Sequence, residues 1–511
     1  MPRKPSILII GAGMAGLSAG CYARFNGFPT TIIEQQQRPG GLCQSWERDA
    51  FCINGCVHWL VGSSGGGRFA DIWQELGISP NTSFYDHDRL KTFVIPGGEV
   101  TLYADPDRLE KHLVSIAPED ADAIRGLCRA VRALRASDFF PPQEPEGLWE
   151  LLGQARMLLT HFPLIRQSYR WWQQTIGEFA ASLRNPQLRL VFSRLWHADM
   201  SMITVIMTLA FLARRDAGYP LGGSSELMNK VEARYRALGG KVRYGQRVDA
   251  VLVRGGRARG VRLTTGEELR ADYVISAADG YTTLYSLLRG QFPDPKVVGP
   301  FTELKPFPPL LYAGIGVKRT FPEWTPSVMG AQYALEPPMV IGCQIRHHLD
   351  VQVYTFDDSL APAGHTLLVV SLEADFDFWR EMARQYQEYK TFKRQTLDQM
   401  IEALDRLFPG IKGQVVVRDL ATPITFHQYT GNYRGSYEGW LPTPRALRTH
   451  IPKTLEGLDH FYLAGHWVEP GGGLPPAALS GKKVIQAICR QGGHRFRTMA
   501  PERPVGQHQN T

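Results

Sequence analysis

Gly11, Gly13 and Gly16 stand in a Gly-x-Gly-x-x-Gly spacing near the start of the 511-residue chain, and an acid, Glu34, follows eighteen residues after Gly16. In this arrangement the first glycine makes a tight turn, the second lets the backbone approach a pyrophosphate, and the third lets helix and strand touch. The free N–H groups of the helix start would face the phosphates, and Glu34 would accept hydrogen bonds from an adenosine ribose. Arg38-Pro39-Gly40-Gly41 adds two glycines that admit backbone to the other side of a diphosphate. Near the opposite end, Ala464-Gly465-His466-Trp467-Val468-Glu469-Pro470-Gly471-Gly472-Gly473-Leu474-Pro475 is a glycine-rich loop opening a helix. Its N–H donors and positive dipole end suit the negatively charged pyrimidine ring of a reduced flavin. The Gly-x-Gly-x-x-Gly turn occurs once, and a second such turn for a nicotinamide cofactor is absent.

Other chemistries have little support. Among seven cysteines, Cys52 and Cys56 are the one close pair, and no second pair or spaced histidines complete a zinc site. His347-His348 is an adjacent pair without ligand spacing around it. An odd, scattered cysteine count points to a reducing compartment. The net charge of +8 is spread along the chain with no basic block, which argues against nucleic acid. A positive balance is compatible with an anionic membrane surface, but a solvated basic surface is the simpler reading of any given charge. The uncharged, apolar stretch 200–213 has fourteen residues against the ~20 needed to span a bilayer. The apolar run 7–10 is too short for a signal-peptide core. The expectation is a cytoplasmic protein, peripheral at most on a membrane.

The elements that must position these residues alternate between strand and helix. A buried strand at 7–10, a helix with Ala15, Ala19 and Ala23 on one face, and a strand at 29–33 frame the first turn. Asp105-Pro106 caps a helix, and another runs to about residue 136. Residues 139–145 read as a proline-rich loop. The segment 147–214 is helical and strongly apolar, and the Met-rich stretch near 202–210 reads as core. A loop at 219–225 leads into an amphipathic helix, followed by strands at 241–244, 247–254, 258–264 and 271–277. A long helical stretch occupies 376–407, and a strand at 461–465 precedes the last loop and a helix over 474–490.

These motifs, with Tyr219-Pro220-x-Gly222-Gly223-Ser224 and Ala271-Asp272-x-Val274-Ile275-Ser276-Ala277-x-Asp279 between them, resemble the FAD-containing amine oxidase and phytoene desaturase superfamily. The resemblance is to the carotenoid branch of phytoene desaturases, carotenoid cis-trans isomerases and retinol saturase, and it runs along essentially the whole chain. It implies an α/β fold: a Rossmann-type FAD-binding domain like that of glutathione reductase, a mixed-sheet substrate domain and an apolar helical cap. The implied division is FAD-binding 1–80, substrate domain and cap 81–215, FAD-binding 216–290, substrate domain 291–430, FAD-binding 431–492, and a loose tail 493–511. FAD would be held non-covalently by Gly11, Gly13, Ala15, Gly16, Glu34, Gly40 and Gly41, with Val248 on the adenine side. Gly465, Gly472, Gly473 and Leu474 would lie at the isoalloxazine. Two departures stand out. Asn54 replaces a usual acid, and Leu42 stands where many relatives have an arginine that pairs with the diphosphate, leaving that charge to backbone donors and helix dipoles.

The implied reaction is hydride transfer between flavin N5 and a lipophilic polyene, as desaturation, saturation or isomerisation, with an unidentified electron acceptor or donor. Candidates for proton handling are His466, Tyr433, Tyr437, His58 and Glu469. His466 is preferred because it interrupts the flavin-contacting loop, and an ordinary imidazole pKa near ~6.5 suits an acid or a base. An amine oxidase would instead need a polar pocket with an aromatic cage. A flavin-free prenyl-binding protein, like the Rab GDP-dissociation inhibitors, would not need pyrophosphate turns at both ends.

Overall fold

The computed structural model describes residues 4–136, 169–325 and 327–498. The proline-rich stretch 139–145, residues 147–168 of the apolar segment and the end of the tail, 499–511, lie outside these. Ile7–Ile10 is fully buried, and a short, β-branched, apolar run of this kind forms the inside strand of a parallel sheet. It pairs in parallel with Thr30–Ile33 on one side and Tyr273–Ser276 on the other. Lys241–Arg243 and Phe461–Leu463 extend the sheet at its edges, completing five parallel strands. Five of the expected strands, drawn from distant parts of the sequence, therefore meet in one Rossmann-type sheet.

Helix Met14–Phe25 crosses between the first two strands and packs against two other helices. A Cβ at Gly481 of helix Leu474–Gln491 would meet Ala15 O at 2.5 Å and Ala19 N at 2.7 Å, so small residues set this close approach. Ser18 Oγ donates to Ala478 O at 2.6 Å across the same seam. On its other flank, Gly20 packs on the Tyr235 ring of helix Gly223–Ala237. The alanine face read from the sequence is this contact surface.

A seven-stranded mixed sheet forms the second body, in the order Val415–Ala421, Leu310–Val317, Thr366–Glu373, Gln344–Val353, Ala331–Ile341, Arg89–Ile95 and Gly98–Tyr103. Helix Tyr386–Leu407 buries Leu397, Met400, Ile401 and Leu404 against it. A helical layer of Pro106–Ile116, Ala121–Arg135, Ile176–Ser182, Pro186–Leu195 and Met202–Ala213 builds the largest apolar cluster. Asp105 caps its first helix by accepting from the N–H groups of Asp107 and Arg108. Met202, Ile203, Ile206 and Leu209 are buried in it, so the Met-rich stretch is core.

Three details differ from the sequence reading. Ala217–Pro220, read partly as loop, is a strand because Tyr85 and Leu60 give it partners on both sides. A short strand, Glu268–Arg270, completes a three-stranded antiparallel ribbon that alternation over so few residues did not reveal. The helical stretch 376–407 breaks into Phe376–Met382 and Tyr386–Leu407, where Gln385 leaves helical geometry (φ −107°, ψ 89°). No helix among the described residues is long and apolar enough to cross a membrane.

Candidate active site

The first glycine turn has two kinds of glycine. A Cβ at Gly16 would lie 2.0 Å from Gly11 O, so glycine is required there by helix–strand packing. At Gly13 a Cβ would meet nothing closer than Gly40 O at 3.8 Å and Gly41 Cα at 3.9 Å, at an ordinary φ of −76°. The fold itself would accept a side chain at Gly13. Gly40 pairs with Gly13 in a parallel bridge, and its N–H donates to Ala12 O at 3.0 Å, so the second glycine pair closes over the first.

Glu34 ends the second strand with its side chain buried. Its Oε2 accepts the Ala12 N–H at 2.7 Å and its Oε1 the Gln36 N–H at 2.8 Å. Burial pushes the carboxyl upward, while these backbone donors pull it down. Each oxygen keeps lone-pair capacity for a further donor. Gln246 N–H donates to Glu34 O at 2.9 Å, which brings strand Val248–Arg254 to the Glu34 end of the cradle. Val248 itself packs with Leu8, Ile10 and Ile33.

The terminal loop reaches the same place from the opposite side. Gly465 N–H donates to Ser480 Oγ at 2.7 Å, and a Cβ at Gly465 would lie 3.9 Å from the Ala15 methyl. Gly465 thus sits between the start of helix Met14–Phe25 and the second turn of helix Leu474–Gln491. Helix Leu474–Gln491, however, begins Leu474-Pro475-Pro476, and prolines carry no N–H. Two of the donors expected from its first turn are therefore missing, and the N–H groups of Gly472, Gly473 and Leu474 must serve instead. Gly472 and Gly473 have φ of +74° and +79°, which turn the backbone into the site at no steric cost only for glycine.

The proton-handling candidates separate. His466 is deeply set, and burial lowers its pKa to about 4, so its ring is neutral near pH 7 and does not serve as an acid there. Its Nε2 lies 3.3 Å from Asn432 Oδ1, an acceptor only, which places the proton on Nε2 and leaves Nδ1 as a base. Asn432 is a hub the sequence reading missed. It also accepts from Trp467 Nε1 at 2.9 Å and donates to Ser436 O and Glu438 O.

Tyr433 turns into an aromatic cluster with Tyr281, Phe301 and Trp467, and its N–H donates to Asp279 Oδ2 at 2.8 Å. Tyr437 instead packs on Phe307, 5.0 Å between centroids, at the edge of the helical layer. His58 faces the mixed sheet, its Nδ1 3.2 Å from Gln352 Nε2, and burial lowers its pKa to about 4. Glu469 is removed from the candidates. Burial opposes its charge, but Lys453 at 2.8 Å and Lys483 at 2.6 Å outweigh it and hold the carboxyl below its ordinary value as a structural ion pair. Asn54 is structural too, its Oδ1 accepting from the Ser224 N–H and hydroxyl and its amide donating to Val57 O.

One further side chain completes the site. Glu438 follows Tyr437 directly, and its Oε2 would lie 2.1 Å from a Cβ at Gly472. Burial raises its pKa to about 8. The only signal in the sequence is one acid within an otherwise glycine- and aromatic-rich stretch. Phe307 shares the contact with Gly472, at 3.0 Å from the same Cβ position. Phe307 and Tyr437 therefore link the terminal glycines by packing contact to the apolar helical layer.

The sequence pattern of the family described as flavin containing amine oxidoreductase matches residues 14–489. The chain belongs to that family. The chain is 25% identical over 507 residues to a chloroplastic prolycopene isomerase of Daucus carota, covering 95% of this chain and 80% of the relative. It is 25% identical over 519 residues to a neurosporene-forming phytoene desaturase of Rhodobacter capsulatus, covering 94% and 93%. In fold it resembles the crystal structure of an oxidoreductase from Methanosarcina mazei (TM-score 0.59, 17% identity), covering 94% of this chain and all of that one. This family member is an FAD-dependent oxidoreductase. The cradle fits FAD: Gly13 is free of steric need within the protein, Glu34 retains acceptor capacity, and Gly465 brings the terminal loop against the start of helix Met14–Phe25.

Proposed function

We propose that the protein oxidises, reduces or isomerises a lipophilic, isoprenoid-derived polyene of the carotenoid or retinoid class. The carrying observation is the unbroken apolar contact from Gly472 through Phe307 and Tyr437 to the helical cluster that also holds Trp59, Trp196 and Met207. A hydrocarbon offers no hydrogen bonds, so its affinity must come from burial at about 25 cal/mol per Å². Relatives at 25% identity over nearly the whole chain, named for prolycopene and phytoene, support the same class.

In this reading Gly11, Gly13, Ala15, Gly16, Gly40 and Gly41 surround the diphosphate, Glu34 and Val248 lie toward the adenosine, and Gly465, Gly472, Gly473 and Leu474 border the isoalloxazine. FAD, when bound, accepts or returns a hydride at N5. The chain's own part is to orient the polyene and exclude water. His466 stands at the joint between these tasks, with its Nε2–H fixed on Asn432 and its Nδ1 available to accept a proton. Tyr437 and His58 border the substrate side, and Tyr433 supports the loop from its aromatic cluster. Partition of apolar polyenes into lipid supports a location at a membrane surface for such an enzyme.

The test is purification of the holoprotein followed by anaerobic incubation with candidate polyenes and analysis of the products. A yellow protein that changes the number or geometry of polyene double bonds meets the expectation. A colourless protein that cannot be reconstituted with FAD contradicts it.

A further inference from the structure

Among the described residues, Glu438 is the one acid whose side chain packs against Gly472 and Gly473. Its backbone is fixed, since Asn432 Nδ2 and Ser436 Oγ both donate to Glu438 O, at 3.2 and 2.6 Å. The next residue, Gly439, is clamped from both sides. Its carbonyl accepts the Phe307 N–H at 2.9 Å, and a Cβ on it would lie 2.5 Å from His466 O. The side chain is thereby aimed at Gly472 and Gly473, with its oxygens 2.1 and 3.9 Å from their Cβ positions. The neighbouring acid Glu469 has two ammonium partners, whereas the Glu438 carboxyl makes no hydrogen bond or ion pair within the described chain. It is deeply set yet keeps part of its surface, so it lines the site and not a packed core.

We propose that Glu438 contacts the bound flavin and takes up one proton from solvent when the flavin is reduced. This rests on the FAD reading above. A hydride, two electrons with one proton, passes from a substrate carbon to the flavin and leaves it with an added negative charge. When Glu438 is ionised, a second proton moves from solvent to its carboxylate, so that two negative charges do not face each other. When Glu438 already holds its proton, reduction takes up none there.

The surroundings agree with this exchange. The titratable groups facing the carboxyl are Cys56 from the segment after Phe51–Asn54 and Tyr437 beside it, and each is itself held neutral. Behind Cys56 stands Cys43, and across Gly439 lies the neutral ring of His466. Phe307 and the Gly472 turn bring no charged side chain. Among the described residues no cation offsets a carboxylate at this point, and burial alone raises its pKa to about 8.

Two measurements test the proposal. The first is proton uptake per flavin, from the pH dependence of the reduction equilibrium against a reference dye between pH 7 and 9.5. The wild type should take up about one proton per flavin below pH 8 and close to two above it, while Glu438→Gln takes up one throughout. The second uses apoprotein and needs no turnover. A carboxyl held protonated to about pH 8 in the folded chain but ionising near 4.5 when unfolded costs stability as pH rises through that window. The Tm advantage of Glu438→Gln over wild type should then grow from pH 5 to pH 9. If Glu438→Gln fails to retain flavin, Glu438→Asp should displace the break in proton uptake. A yellow wild type with one proton per flavin throughout, an unchanged break in either variant, or a flat Tm difference overturns the proposal. A wild type that cannot bind FAD overturns the cofactor reading, and the proposal with it.

Discussion

His466 shows how burial changes what a residue can do. Its place in the terminal loop makes it a candidate base from sequence, but the expected mid-range titration does not survive desolvation, and near neutral pH it acts only as an acceptor through Nδ1. His466→Ala should retain FAD and slow the flavin half-reaction by ~10²-fold, the usual scale of lost acid–base help. Stopped-flow mixing of the flavoprotein with its polyene checks this, and a near wild-type rate would move attention to Glu438 and Tyr437. Glu469, two residues beyond Trp467, illustrates the opposite case. Its type matched the chemistry, but the partners that lock it, Lys453 and Lys483, are separated from it by sixteen and fourteen residues and only folding brings them together. Asn432 was equally hidden, since an amide that organises four partners has no distinguishing spacing.

At the scale of elements, the strand–turn–helix–strand unit at the N-terminus was legible because its glycines, its alanine face and its terminal acid each serve one steric or electrostatic need. That separation yields a paired prediction. Gly13→Val should fold with a Tm close to wild type yet purify without FAD, because a Cβ there makes only ordinary contacts, at 3.8 Å and beyond, while the side chain occupies the diphosphate's volume. Gly16→Ala should lose stability outright, because its methyl would drive into Gly11 O. Thermal melts and the flavin-to-protein absorbance ratio check both, and a yellow Gly13→Val would refute the assignment of this turn. The terminal helix was less legible in function. Its glycines open the helix, but Pro475 and Pro476 shift the donor role back onto the loop. Short edge strands such as Glu268–Arg270 were invisible because three residues carry too little pattern.

For the whole molecule, the order of motifs along the chain made the α/β class readable, whereas the seven-strand order of the mixed sheet was not, since it depends on pairings between segments more than two hundred residues apart, as Ala331 with Thr92. The apolar helices were recognised as a layer, and within 169–214 the only large hydrophobic left exposed is Tyr169. Docking on a membrane by this part of the chain therefore leans on charge. The net +8 predicts flotation with anionic vesicles at low salt and release at high salt; no association at low salt would contradict a membrane-surface enzyme. The central claim, an FAD enzyme that works on polyenes, is tested most directly by recording the visible spectrum of the bound flavin during anaerobic mixing with a polyene and, separately, with an amine. The account predicts that the polyene alters the flavin absorbance and is recovered with changed double bonds, while the amine leaves the flavin oxidised. Rapid bleaching by the amine with an untouched polyene would contradict it.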